Sequence, residues 1–172
     1  GNILRDTGRA AEAEPLIRRA VGIMEEATGP QHGETLWMRR SLARTLISLE
    51  RYAEADAELS DQINLIEAAG LTSELPAALS TLAELRLRQG RPVDAEAAYR
   101  RGIAVLEGDA PDDPSLGLMT ADLARVVRDS GRRDEAEVLM RRGVELMRDS
   151  WGESDPDVRQ AAADLEALSN PQ

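Results

Sequence analysis

GRPVDAEAAYRRGI, residues 90–103, recurs as GRAAEAEPLIRRAV from Gly8, ERYAEADAELSDQI from Glu50 and GRRDEAEVLMRRGV from Gly131, with starts 42, 40 and 41 residues apart. An internal repeat of this size is one supersecondary unit that cannot bury its apolar face alone and is completed by its neighbours. Ahead of three of the copies, apolar residues fall at helical spacing: Leu42, Leu46 and Leu49, then Leu82, Leu85 and Leu87, then Leu123, Val126 and Val127. That spacing places them on one helix face. This segment is helix A of each repeat. It stops at Gly90 or Gly131, since glycine adopts the left-handed backbone of a helix end at little cost. Helix B follows at once, with Ala13, Ala55, Ala95 and Ala136 in register and Ala20, Gln62, Gly102 and Gly143 seven residues later. Small residues at three of those last four positions permit close helix approach.

The junctions carry stop and start signals: TGPQHG at 28–33, AAGLTS at 68–73, EGDAPDDP at 107–114 and WGESDP at 151–156. Asp113-Pro114 and Asp155-Pro156 put an acceptor at the N-cap and proline in the first turn, where its missing N–H costs nothing. Thr72 or Ser73 serves as the cap for the third helix A. The expected helices are 2–7, 10–27, 34–49, 52–68, 74–89, 92–107, 114–130, 133–150 and 156–168. The fold class is all-α.

Composition agrees with that expectation. The chain has 172 residues, 42% of them hydrophobic but only 2% aromatic and none Phe. Such a core is built from Leu, Ile, Val, Met and Ala, the stuff of closely approaching helices rather than of a sheet. Absence of cysteine removes disulfides and thiolate metal sites together. A net charge of −11 argues against nonspecific binding of nucleic acid or of an anionic membrane. No window approaches a membrane span and the N-terminus lacks a signal-peptide pattern, so a cytoplasmic location is expected.

The repeated constellation resembles the tetratricopeptide repeat, in the longer form found in kinesin light chains and many bacterial arrays. It is carried by the Leu-Ala pairs at 42–43, 82–83 and 123–124 and by the Gly-Arg turn. The Glu-Ala-Glu type triplets at 12–14, 94–96 and 135–137, the Arg pairs before a small residue, and GPQH at 29–32 complete it. The period of about 41 exceeds the shorter 34-residue repeat by about one extra turn per helix. Departures are Glu50 at the turn glycine, Gln62 at a small packing position, and the junction AAGLTSELP. The resemblance implies a right-handed solenoid of antiparallel helix hairpins in one domain spanning 1–172. Its repeats are 1–29, truncated, then 30–70, 71–110 and 111–152, and its capping helix is 153–172. The truncated first helix would expose Ile3 and Leu4, which suggests further repeats or another domain upstream; SNPQ closes the cap.

No catalytic constellation is present, so the chain is not expected to be an enzyme, and no cofactor is expected. His32, the single histidine, sits in a junction and is expected to make a structural hydrogen bond. Asp109, Asp112 and Asp113 lack the bidentate acid of a helix-loop-helix calcium site. No phosphate loop or nucleophile elbow occurs. Trp151 and the methionines at 24, 38, 119, 140 and 147 are expected in the core; Trp37 is open to either a core or a surface role.

The resemblance further implies that the A helices line a concave groove that holds a peptide or partner segment. Carried over by position, the groove takes Trp37, Arg40, Ser41, Arg44, Ile47 and Ser48 from the second helix A. The third gives Ala77, Ser80, Thr81, Glu84, Leu87 and Arg88, and the fourth Leu118, Ala121, Asp122, Arg125, Arg128 and Asp129. Five arginines stand there against three acids, in a chain that is acidic as a whole. Two readings follow. Either the arginines capture an acidic segment or a C-terminal carboxylate, or they pair with Glu84, Asp122 and Asp129 on neighbouring helices. The acids Glu12, Glu14, Glu54, Asp56, Glu58 and Glu96 on the B helices are expected to be a solvated surface. The expected role is a protein-interaction scaffold, part of a larger bacterial signalling or regulatory protein. The alternative is a self-assembling homo-oligomer joined through its terminal helices.

Overall fold

The copies of the repeated stretch that begin at Glu50, Gly90 and Gly131 each open a helix that follows a left-handed turn. The computed structural model describes residues 10–169, which hold eight α-helices and no strand. These are α1 (Ala10–Thr28), α2 (Gly33–Ser48), α3 (Tyr52–Ala69), α4 (Leu75–Arg88), α5 (Pro92–Asp109), α6 (Ser115–Asp129), α7 (Arg133–Trp151) and α8 (Pro156–Ser169). The expected helix at 2–7, with Ile3 and Leu4, lies outside the described residues. Helices α2, α4, α6 and α8 are A helices; α1, α3, α5 and α7 are B helices.

The turn between A and B has one geometry three times. Gly90 and Gly131 adopt φ +70° and +84°, and Glu50 at the equivalent place adopts φ +58°. Behind them the amides of Arg51, Arg91 and Arg132 donate to the carbonyls of Leu46, Arg86 and Val127 at 2.9, 2.8 and 3.2 Å. These six-to-one bonds satisfy carbonyls that the helix end leaves open. The turn is thus dictated by hydrogen-bond closure, and Glu50 adopts a conformation that glycine would take without strain.

Helix starts follow the capping signals in part. Asp155 Oδ1 accepts from the amides of Asp157 and Val158 at 2.8 and 3.3 Å, and Asp113 Oδ1 accepts from Ser115 N at 2.8 Å. His32 is the N-cap of α2, its Nδ1 accepting from Glu34 N at 3.4 Å. Thr72 and Ser73 do not cap α4. Thr72–Glu74 instead form a 3-10 turn that runs straight into the helix, with no side-chain cap bond and with proline in the first turn.

The helices group into two compact units, with the division between Arg91 and Pro92. It falls inside the third repeat, between α4 and α5. In the first unit Ala13, Ile17 and Val21 of α1 pack with Leu42, Ala43, Leu46 and Ile47 of α2, Ala55 and Leu59 of α3, and Leu85 of α4. In the second, Leu123, Ala124 and Val127 of α6, Met140, Val144 and Met147 of α7, and Val158 and Ala161 of α8 are buried. Met24 and Met38 are half-buried, as is Trp151, the last residue of α7, which stays outside the buried core.

Equivalent positions of the second and fourth repeats treat one helix crossing differently. A methyl group built on Gly143 would lie 2.9 Å from Ala121 N and 3.0 Å from Gly117 O, and one on Gly117 would lie 2.9 Å from Met147 N. Helices α6 and α7 therefore touch backbone to backbone. In the second repeat the same two places are Gln62 and Leu36, and the fully buried Gln62 amide donates to Leu36 O at 2.6 Å. Its Oε1 is buried without a partner. The side chain spans a gap that the fourth repeat closes.

Candidate partner-binding face

In the first unit, the face shared by α2 and α4 is built from alternating exposed and core positions. Trp37 and Leu87 are large apolar residues left 49% and 41% exposed. Ile47 is not on this face: it is 3% exposed and belongs to the core cluster. The equivalent residues Leu87 and Arg128 are exposed, so the register that places them on the surface fails for α2, whose side at that height turns into the core. Ser41 and Thr81 are likewise buried, Thr81 donating to Ala77 O; Ser80 is half-buried, while Ser48 and Ala77 are exposed.

The arginines differ in freedom. Arg40 has a side chain 14% exposed and bonds Glu74 at 3.0 Å. Arg44 is 51% exposed and meets Glu84, itself 38% exposed, through a single 3.4 Å contact. Arg88 is exposed and pairs with no acid among the described residues. Because Arg44 and Glu84 face each other, Leu87 lies level with residue 47, ten positions from Trp37. At 1.5 Å per residue the two apolar side chains stand about 15 Å apart along the face.

In the second unit, Arg125 is a fixed structural element. It bonds Asp122 at 2.6 Å and Asp164 of α8 at 2.8 Å. Burial lowers its proton affinity, but the hydrogen bond to Asp164 and the charges of both acids outweigh this, and its pKa is raised. Arg128 pairs with its neighbour Asp129 at 2.9 Å. Leu118 is half-buried and Ala121 is fully buried beneath Gly143.

Glu84, Asp122 and Asp129 are thus all engaged by arginines. Glu74 and Asp164 were not foreseen as partners. One signal was present: position 44 and its equivalents one, two and three repeats on read Arg44, Glu84, Arg125, Glu166, charges alternating at the repeat period. Asp164, one half-turn before Glu166, is the residue that Arg125 reaches.

The B-helix acids are more than a solvated surface. In the first unit Arg18 bonds Glu14 at 2.7 Å and approaches Glu54 at 3.6 Å, and Arg51 bonds Glu54 at 2.6 Å and approaches Glu14 at 3.6 Å. The same quartet recurs in the second unit. There Arg100 bonds Glu96 at 2.8 Å and Glu135 at 2.5 Å, while Arg132 bonds Glu96 and lies 3.3 Å from Glu135. Each quartet ties one repeat to the next. Glu58 and Asp56 bond Arg39 and Arg86 at 2.5 and 2.8 Å.

A family model described as Tetratricopeptide repeat matches residues 1–61, and a second of the same description matches 76–101 and 120–142, together more than half of the chain. The chain is a tetratricopeptide repeat array. The nearly identical TPR-like repeats of a kinesin-light-chain-type protein of Podosopora anserina superpose with a TM-score of 0.73 at 20% identity, covering 96% of this array and 80% of that chain. A single-substitution form of that protein gives 0.74 at 20% identity, covering 96% of this array and 79% of that chain. BtubC (BKLC) of P. vanneervenii gives 0.76 at 18% identity, covering 92% of this array and 62% of that chain. These likenesses establish the fold, that of the longer, kinesin-light-chain-like arrays. No curated protein sequence matches the array. Tetratricopeptide repeats mediate protein–protein interaction and are typically non-catalytic scaffolds. Among the described residues no helix is long and apolar enough to cross a membrane.

Proposed function

We propose that this array is a scaffold that seats an extended partner segment on the face of α2 and α4, and that the segment carries acidic residues between two apolar ones. The supporting observation is the set of side chains this face leaves exposed. Trp37 and Leu87 offer apolar area about 15 Å apart, and Arg44 and Arg88 supply positive charge beside Leu87 and between the two. An extended pentapeptide with apolar ends spans about 13 Å at 3.3 Å per residue. Its central carboxylates then reach the guanidinium of Arg44, whose planar fork suits carboxylate. A chain-terminal carboxylate would use the same cation. On the resemblance to bacterial arrays we place the scaffold in the cytoplasm, within a signalling or regulatory assembly.

The test is fluorescence anisotropy with the labelled probe Leu-Asp-Glu-Asp-Leu against Leu-Lys-Arg-Lys-Leu and Leu-Ser-Gln-Ser-Leu, at two salt concentrations. Salt-sensitive binding of the acidic probe alone, weakened by Trp37→Ala and by Arg44→Gln, is the expected result. Equal binding of all three probes, or acidic binding indifferent to both substitutions, would refute the assignment.

A second reading is supported by α1, where Leu16 and Ile23 lie seven residues apart on one helix face and are each 55% exposed. Burial of that stripe against a second copy would make a homo-oligomer. Mass measured across a hundredfold range of concentration separates the readings: a constant monomer removes the second.

A further inference from the structure

The cations of the α2–α4 face are not equally available, and the difference singles out Glu84. Arg40 is enclosed, and its partner Glu74 is itself held near the start of α2, with Oε1 3.4 Å from where a side chain on Gly33 would begin. Displacing Glu74 would disturb the turn that leads into α4. Arg125 is clamped by two carboxylates at 2.6 and 2.8 Å. The Arg44–Glu84 contact is long, single and exposed on both sides. An exposed pair of that kind contributes little to stability, so exchanging one carboxylate for another there costs the fold almost nothing.

We propose that Glu84 is a built-in competitor, an internal carboxylate that occupies Arg44 until the carboxylate of a partner segment replaces it. The proposal rests on the partner-binding reading above and assigns its threshold to one residue. Arg88 lies four residues after Glu84, one helical turn along the same side of α4. It has no acidic partner among the described residues, so it keeps the place positive and receives Glu84 when that side chain is displaced. The consequence is selectivity. A neutral or weakly acidic segment gains nothing by approaching Arg44, whereas a segment with several carboxylates replaces the internal one.

The experiment is a double-mutant cycle on the whole chain with the labelled Leu-Asp-Glu-Asp-Leu probe: wild type, Glu84→Gln, Arg44→Gln and the double variant, each checked for helicity by circular dichroism. Removing the competitor is expected to tighten binding about fivefold at low salt, the scale of one exposed ion pair. In the Arg44→Gln background the same substitution should change affinity by less than about twofold, because the competition acts through Arg44. Two results overturn the proposal while leaving the binding face intact: Glu84→Gln binding no tighter than wild type, or a gain that persists undiminished without Arg44, which would be plain charge repulsion. Failure of every variant to bind the probe removes the binding reading and this proposal with it.

Discussion

Replacing Gly143 by alanine tests whether the α6–α7 crossing is a true backbone contact. In an exposed helix interior glycine to alanine stabilises by about 0.5–1 kcal/mol, because alanine loses less backbone freedom on folding. At Gly143 the added methyl meets Ala121 N at 2.9 Å, Gly117 O at 3.0 Å and Ala121 Cα at 3.2 Å. All three are main-chain atoms of a packed helix, so no side chain can swing aside. Overpacking of this sort costs about 1–3 kcal/mol, which exceeds the propensity gain, and a net loss of about 1–2 kcal/mol is expected. Gly22 is the matched control, since it lies within α1 and a methyl there meets nothing within 4 Å. Urea unfolding followed by circular dichroism at 222 nm should therefore move in opposite directions, Gly22→Ala to a higher midpoint and Gly143→Ala to a lower one. If Gly143→Ala rises alongside Gly22→Ala, the helices are farther apart than described and the close-approach argument is wrong.

Two further outcomes follow from the turns and the ion clusters. Glu50→Gly removes a left-handed non-glycine residue that costs about 1–2 kcal/mol, against about 0.5–1 kcal/mol of added chain entropy in the unfolded state. A gain of about 0.5 kcal/mol in urea stability is expected; a loss would show that Glu50 makes compensating contacts. Glu96 is affected first by burial, which raises its pKa, but the bonds from Arg132 and Arg100 together prevail and hold it below the ordinary carboxylate value. A depressed folded pKa contributes stability that is present above the unfolded value of about 4.3 and lost as pH falls through the folded value. Glu96→Gln should cost up to about 1 kcal/mol at pH 7 and nearly nothing at pH 2.5, so wild type and variant converge on acidification. Parallel pH curves would exclude the linkage.

The helices were legible in the sequence because glycine writes the stop at Gly90 and Gly131, because the repeat register carries that stop to Glu50 although the residue there is not glycine, and because aspartates precede Pro114 and Pro156. Thr72 and Ser73 misled because a hydroxyl before a helix signals a cap only when the backbone there is extended, and here it coils into a 3-10 turn. The register of the repeat set Arg44 and Arg125 near the acids Glu84 and Asp122 that they meet, yet it did not show that Arg40 reaches Glu74 or that α2 turns Ile47 into the core. Side-chain reach decides the pairings, as with Arg125 and Asp164. Trp151 was expected in the core on the resemblance to related repeats, but as the last residue of α7 it is only half-buried.

The contrast between Gly117 with Gly143 and Leu36 with Gln62 sets a rule for how such arrays can be recombined. Each pair is a two-letter word spelled across a hairpin, one letter in helix A and one in helix B. A crossover in the A–B turn that joined α6 to a helix B of the second kind would drive a glutamine into main chain, and the reverse exchange would leave Leu36 facing a hole. Exchange at the junctions between repeats keeps both letters together. Lineages that shuffle repeats should therefore break at the B-to-A junctions, with these two positions changing as one.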